Sequence, residues 1–427
     1  MRPMTSAPDR LPGIAASLIA AARRYGTPVA VTDIAELHRA ADALTAAFPD
    51  PWLRLFSIKA NDVRAIVERI GGHGFGANVV SRGEWSIATR AGIPNSRVTF
   101  EGVGKTDEDL RAAIRASRIG NPLVWLAIES VDEAQALVRL ARTGIDDGSL
   151  DVLFRLNPSV QPDTHAGLAV GAARSKFGMT ADELTTAVAI VAEGRGLRPR
   201  GLHLHIGSQL RSVDAWRDGI RRALSVVDLM RGAWPTFDTL DVGGGFPVLS
   251  RDEPAPDPAR FARELPALLA RHDVGRQPSR LAIEPGRALV ASAGYLVGRV
   301  LHDRDREGRQ VVLDVGMTDV IRPALYGARH EISALTSLGR PVGGGNAPEP
   351  WDMSRVEGPI CESTDHLGEH PLPPLRRGDL VAIRDTGAYA ASLGSTYNGR
   401  PRSPQILLEP DGRLILARRR GSTASLG

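Results

Sequence analysis

Four kinds of residue in this chain could do chemistry together: a lysine, a glycine run, a carboxylate and a histidine, each at the end of an apolar stretch. Lys59 closes the segment Phe56-Ser57-Ile58-Lys59-Ala60-Asn61. A lysine amine withdrawn from water loses affinity for its proton and becomes a nucleophile that can form a Schiff base with an aldehyde. Gly243-Gly244-Gly245 closes another segment, and residues without Cβ let backbone N–H groups approach a phosphate closely. Glu284 opens Glu284-Pro285-Gly286-Arg287, and a carboxylate facing a ring nitrogen stabilises its protonated form. His205 and Ser208, in His203-Leu204-His205-Ile206-Gly207-Ser208, add an aromatic ring and a hydroxyl. Each has a plainer reading: a lysine reaching water at a rim, a tight turn, a salt bridge from Glu284 to Arg287, a histidine satisfied locally. Taken together they describe a pocket for a phosphorylated aldehyde with a basic ring nitrogen.

The elements that must position these residues follow from alternation. Apolar strands are expected at 53–60, 76–81, 98–102, 123–128, 152–157, 201–206, 239–243 and 281–284, with amphipathic helices at 63–70, 84–91, 108–116, 131–141, 181–193, 214–230 and 258–271. Eight strand–helix units fit one α/β fold, a (β/α)8 TIM barrel, whose active site lies at the C-terminal ends of the strands. A doubly wound sheet would instead place its glycine-rich loop after the first strand; here the glycines follow the seventh. After Arg287 the pattern changes to strands at 295–301, 310–315, 380–385 and 405–408 without regular helices between them, a second, mostly β C-terminal domain. The expected division is residues 1–30 as a lead-in contributing to the β domain, 31–289 as the barrel and 290–427 as the β domain. The lead-in holds a helix at 14–25 and a short strand at 28–31.

The bulk composition excludes other classes. With 53 basic and 49 acidic residues the net charge is +4, too small a surplus to argue for nucleic acid. No apolar stretch approaches the roughly 18–20 residues of a membrane span, and Met1–Pro12 lacks the features of a signal peptide. The single cysteine, Cys361, cannot form an intrachain disulfide and fits a reducing cytoplasm; alone it reads as a small buried apolar residue. No metal site is expected. His203 and His205 would need a third ligand that the sequence does not show, and His366 and His370 fall in a Pro-rich loop expected to be solvated.

In this order, the motifs around Lys59, His205, Gly243, Glu284, Ile321-Arg322-Pro323-Ala324-Leu325-Tyr326, Gly358-Pro359-Ile360-Cys361-Glu362-Ser363 and Gly387-Ala388-Tyr389 resemble those of the fold-type III pyridoxal-phosphate decarboxylases, the diaminopimelate decarboxylases above all. The resemblance spans about residues 25–410 and implies an alanine racemase-like barrel with a β domain. It implies that Lys59 holds pyridoxal 5'-phosphate as a Schiff base, that His205 stacks on its ring, and that Glu284 pairs with its ring nitrogen. It further implies that Ser208, Gly243, Gly244, Gly245 and Tyr389 hold the phosphate, with backbone amides around Gly286 and Arg287. Arg287, Arg322 and Tyr326 bind the carboxylates of a small amino-acid substrate. Cys361, as proton donor, and Glu362, as partner for a distal amino group, arrive from the second subunit of a homodimer.

Three departures bear on the substrate. Asn78 stands where the family usually has an aspartate, so a carboxylate that could support Lys59 or His205 is missing there. Phe246-Pro247 replaces the commoner Leu-Gly after the glycines. Gly102-Val103-Gly104-Lys105-Thr106 resembles decarboxylases of antibiotic and siderophore pathways. The expected activity is decarboxylation of meso-diaminopimelate to L-lysine. The alternatives are another basic or carrier-bound amino acid as substrate, or, on the same barrel, a racemase or a non-catalytic cofactor-binding protein.

Overall fold

Eight parallel strands close into a barrel: β2 (Leu53–Ser57), β3 (Gly76–Val79), β4 (Val98–Phe100), β5 (Trp125–Ile128), β6 (Leu150–Arg155), β7 (Leu197–His203), β8 (Thr239–Asp241) and β9 (Arg280–Ile283). The fold expected from the alternation is therefore observed. The structure, a computed structural model, describes residues 10–142, 149–172, 174–248, 255–272, 277–342 and 351–425. Most of the Gly339–Pro350 loop, residues 343–350, lies outside the described residues. The chain divides into two units, residues 41–288, which hold the barrel, and residues 1–40 with 289–427.

Inside the barrel the side chains are sorted by height. Alternate residues of a strand share a face, so Leu55, Trp125, Ala127, Leu153 and Ala282 meet as a buried apolar cluster. One or two steps further toward the C-terminal ends, the same faces turn polar: Ser57, Asn78, Thr99, Glu101, Glu129, Arg155, His203, Asp241 and Glu284 are all buried. An interior that is dry below and polar at its upper end leaves its ionisable groups at the rim.

The helices start where their caps allow. Ser81, Thr106, Ser130 and Thr180 each accept the backbone N–H of an acidic residue three positions on, which satisfies a donor that the helix itself cannot. The strands are shorter than expected at their C-terminal ends. β2 stops at Ser57, and Ile58–Ala60 is a 3-10 turn; β7 stops at His203. The expected helix at 258–271 is two pieces, Pro258–Ala262 and Leu265–Leu269. Pro266 lacks the N–H that would continue the first piece and sits in the opening turn of the second, where none is needed.

In the other unit, β1 (Val29–Asp33) pairs antiparallel with β10 (Gly294–Asp305) and parallel with β18 (Gln405–Leu408). The sheet runs β16 (His366–Pro371), β15 (Met353–Glu357), β11 (Arg309–Leu313), β10, β1, β18, β19 (Leu414–Arg418), with β17 (Leu380–Ile383) joining β10 to β12 (Ile332–Ala334). The helix Leu11–Tyr25 buries Leu11, Ile14 and Leu18 in one core with Val29, Val31 and Ile406. His366 and His370 lie on β16 rather than in a solvated loop, and His370 is buried with Nε2 3.1 Å from the Leu367 carbonyl. β16 pairs antiparallel with β15, which precedes it in the chain by a loop of eight residues, 358–365.

Leu153 has no exposed surface and faces Leu55 and Trp125 at the dry level. Leu153→Ala should cost about 2–5 kcal/mol through a cavity that the barrel cannot close, read as a lower urea midpoint with an unchanged slope.

Candidate active site

The lysine turn and the glutamate loop are stitched together by the barrel's closure. β2 pairs with β9, Leu53 opposite Ala282 and Arg54 opposite Ile283. Past the strand ends, the Ser57 N–H donates to the Pro285 carbonyl at 3.1 Å and the Ser57 hydroxyl to the Glu284 carbonyl at 3.2 Å. Lys59 follows on the 3-10 turn, half-buried. Its charge reaches Glu84, Glu284, His203 and His205. Lys59 and Glu284 therefore belong to one electrostatic neighbourhood.

Beneath this rim lies a cluster that sequence reasoning did not assemble. Asn78 donates from Nδ2 to Glu284 Oε1 at 2.6 Å. His203 Nε2 sits 3.1 Å from Glu101 Oε2 and 3.4 Å from Glu284 Oε2. Asp241 accepts the Gly243 N–H at 2.8 Å. Burial raises all three carboxyls: Glu101 to about 8, Asp241 well above its ordinary range, and Glu284 upward as well. Glu284, however, collects the favourable neighbours. Glu101, the cations of Lys59 and Arg155, and Asp241 all pull it back toward its ordinary range. Burial lowers His203 to about 4, and the ring is neutral at pH 7.

Glu101, His203 and Glu284 present one donor atom each within 4.8 Å of one another. His205 is not one of the three; among the described residues the two carboxyls join His203 alone. Thr99 and Glu101 lie two residues apart, and Asn78 pairs with Thr99 across β3 and β4. That period of two was the only signal for Glu101. The expected strand 98–102 contained it, but nothing else in the sequence marked it as a site residue; in the structure it lies just past β4.

Around the anion pocket, Gly243 and Gly245 adopt φ of +71° and +98°. A Cβ on Gly243 would stand 2.0 Å from the Leu204 carbonyl, and one on Gly244 2.4 Å from the Glu284 carbonyl, so this turn tolerates only glycine. The Gly244 N–H donates to His205 Nδ1 at 3.3 Å, which puts the ring's own proton on Nε2. Burial, followed by the charges of Lys59 and Arg155, holds His205 well below its ordinary value. Arg287 is buried and donates from Nη2 and Nε to Ser208 Oγ, at 3.0 and 3.3 Å. Gly286 packs on Ala60 and Ser57, where a Cβ would come within 3.1 Å.

The remaining expected site residues lie in the other unit. Arg322 opens the short helix Arg322–Tyr326, with Nη1 2.8 Å from His330 Nε2. Tyr389 is half-buried at φ +61°, after a Gly387 whose Cβ would stand 1.7 Å from the Val290 carbonyl. Cys361 is exposed, not buried. Its N–H donates to Asn398 Oδ1 at 3.2 Å, while the Tyr397 hydroxyl donates to Glu362 Oε1 at 2.6 Å.

The barrel residues fit pyridoxal 5'-phosphate. The glycine turn can accept an anion, Lys59 supplies an amine and Glu284 a buried charge. Buried polar atoms without a hydrogen-bond partner gather around Glu284: Asn78 Oδ1, Glu101 Oε1, both ring nitrogens of His203 and Asp241 Oδ2. Such groups are rare in interiors and mark places where function overrides stability.

Comparison with known proteins agrees. Residues 34–291 match the family described as pyridoxal-dependent decarboxylase, pyridoxal binding domain. The chain is 34% identical to diaminopimelate decarboxylase of Zymomonas mobilis, covering 93% of this chain and 91% of that protein. It is 36% identical to that of Pseudomonas aeruginosa, again over 93% and 91%. The crystal structure of diaminopimelate decarboxylase from Helicobacter pylori complexed with L-lysine superposes with a TM-score of 0.84 at 28% identity, covering 95% of this chain and 96% of that one. Lysine/ornithine decarboxylase from Vibrio vulnificus, at 22% identity and a TM-score of 0.77 over 92% of this chain and 98% of that one, shares the fold. By this match across barrel and β domain, the chain belongs to the pyridoxal-dependent decarboxylase family.

Proposed function

We propose that this enzyme removes one carboxylate of meso-diaminopimelate, releasing carbon dioxide and L-lysine. The observation that carries the reading is the buried Glu284 just past the end of β9, the strand paired with β2, beyond whose end Lys59 lies. The names of the relatives supply the substrate. Pyridoxal 5'-phosphate, when bound, supplies an electron sink for the pair left behind as the carbon–carbon bond breaks.

The chain's own residues do the rest. Lys59 carries the cofactor through its amine, and Glu284 keeps the ring nitrogen protonated. His205, as a neutral ring, stacks on the pyridine without repelling its charge. Ser208, Gly243, Gly244, Gly245 and Tyr389 hold the phosphate, with the amides of Gly286 and Arg287. Arg287, Arg322 and Tyr326 take the substrate carboxylates; guanidinium forks match that geometry. Cys361 gives its thiol proton to Cα on the face that the carboxylate left, and Glu362 pairs with the distal ammonium. Those two residues serve the barrel of a partner subunit, so the working unit is a homodimer. A reducing cytoplasm suits this lone thiol; among the described residues no helix is long and apolar enough to cross a membrane.

Asn78 and Gly102–Thr106 leave a carrier-bound or other basic substrate open. In the structure Lys105 is committed elsewhere, with Nζ on the Gly102 carbonyl and 3.0 Å from Glu133 Oε1. That contact argues for a structural role of the segment and offers the second reading no support.

Two outcomes are expected. Lys59→Ala should lose the visible absorbance of the bound cofactor, and Cys361→Ala should retain it while its lysine output from diaminopimelate falls about 10²–10⁴-fold. A K59A variant that stays yellow, or a wild-type enzyme inert toward diaminopimelate, would refute the corresponding assignment. Mixing K59A and C361A chains one to one should restore about a quarter of wild-type activity, because half the dimers are mixed and each has one intact site. Sites built within single chains would restore none.

A further inference from the structure

Glu101 has no place in the chemistry described above, yet it is buried against the group that chemistry depends on. We propose that Glu101 is a positioning residue. Held as a neutral acid between His203 and Glu284, it donates toward Glu284 and confines the negative charge to the one carboxylate that faces the cofactor's ring nitrogen. The inference rests on the reading of Glu284 given above.

The geometry leaves few alternatives for the proton. Glu284 Oε1 is taken by the Asn78 amide at 2.6 Å, a donor that cannot titrate. Glu284 Oε2 faces His203 Nε2 at 3.4 Å and His205 Nδ1 at 4.0 Å. Both imidazoles are held neutral by burial. Asp241 spends one oxygen on the Gly243 N–H and so belongs to the glycine turn. Glu101 keeps Oε1 without a partner and turns Oε2 to His203 at 3.1 Å. Two carboxylates this close in a dry interior cannot both ionise, so one retains a proton and becomes the donor. The charged and titratable groups facing the pair are Asp241, His203, Lys59, Arg155 and Glu129. The cations reach Glu284, as its lowering by Lys59 and Arg155 records. That asymmetry decides which acid keeps the proton.

The linkage has a definite sign. Glu101 is raised to about 8, whereas in the unfolded chain it titrates in the ordinary carboxyl range, roughly 4.3. Between those values the folded chain holds a proton that the unfolded chain has released. Stability from this group is therefore complete below the lower value and drains away as pH climbs to about 8.

The test uses full-length Glu101→Gln, Glu101→Ala and Glu284→Gln. The first readout is the thermal midpoint of the cofactor-free protein across this pH window. The second is the dissociation constant for pyridoxal 5'-phosphate at neutral pH. The amide of E101Q keeps a donor and cannot ionise. Its midpoint should gain on wild type steadily as pH rises, with cofactor affinity within about threefold, whereas E101A should bind the cofactor roughly tenfold more weakly for want of one charge-assisted donor. An E101Q curve parallel to wild type overturns the proposal, and so does an E101A protein with wild-type affinity. If E101A does not fold, the E101Q curve still decides. E284Q separates the two claims: undiminished cofactor affinity there would remove the role of Glu284, while the E101Q curve would still report whether Glu101 holds the proton.

Discussion

A carboxyl group buried inside a barrel is the constraint around which the rest of this site is arranged. An isolated buried carboxylate would take up a proton rather than bear its desolvation. Burial raises Glu284, and its surroundings offset part of that cost: an amide from Asn78, the cations of Lys59 and Arg155, and hydrogen bonds with Glu101 and Asp241. Each comes from a different strand or rim turn. Only a closed ring of parallel strands points so many side chains at one spot, since all their C-terminal ends share one face. The dry layer of Leu55, Trp125 and Leu153 below keeps water from doing the same work more cheaply.

The same constraint explains the glycines. Gly244 lies so near the Glu284 carbonyl that a methyl group would not fit, and the Gly243 N–H is fixed by Asp241, itself in contact with Glu284. The anion turn and the acid cluster are two ends of one hydrogen-bonded piece. Asp241 thus links the glycine turn to the acid cluster within the protein itself.

How much of this was legible from residues depends on the kind of contact. Lys59, His205, the glycines and Glu284 announced themselves because each closes an apolar run, and in a parallel barrel the end of a run is the rim. The two-unit layout was legible for a similar reason, since helices stop alternating with strands after Arg287. Register was not legible. Asn78 looked like a lost carboxylate, when its amide was in fact aimed at Glu284 across the barrel, 206 residues away in sequence. Glu101 fell inside the expected strand 98–102 and drew no attention as a site residue; β4 in fact ends at Phe100, just before it. His370 looked solvated because Pro-rich surroundings outweighed a strand whose partner could not be inferred from composition.

Cys361 shows the opposite limit, where the single chain itself is insufficient. As a lone cysteine it suggested a buried apolar side chain, yet it stands exposed beside an exposed Glu362. The hairpin is nevertheless built: Asn398, at φ +56°, accepts the Cys361 N–H through its side chain, and the Tyr397 hydroxyl donates to Glu362, a hydrogen bond that, with the carboxylate's charge, raises the tyrosine. Ordering a thiol and a carboxylate at the surface has little stabilising value, because water screens such contacts. Their electrostatic effect grows only when the surroundings are dried. A pre-shaped pair of acidic groups that gains force on being covered is what a subunit would carry if its chemistry were completed in another copy's barrel.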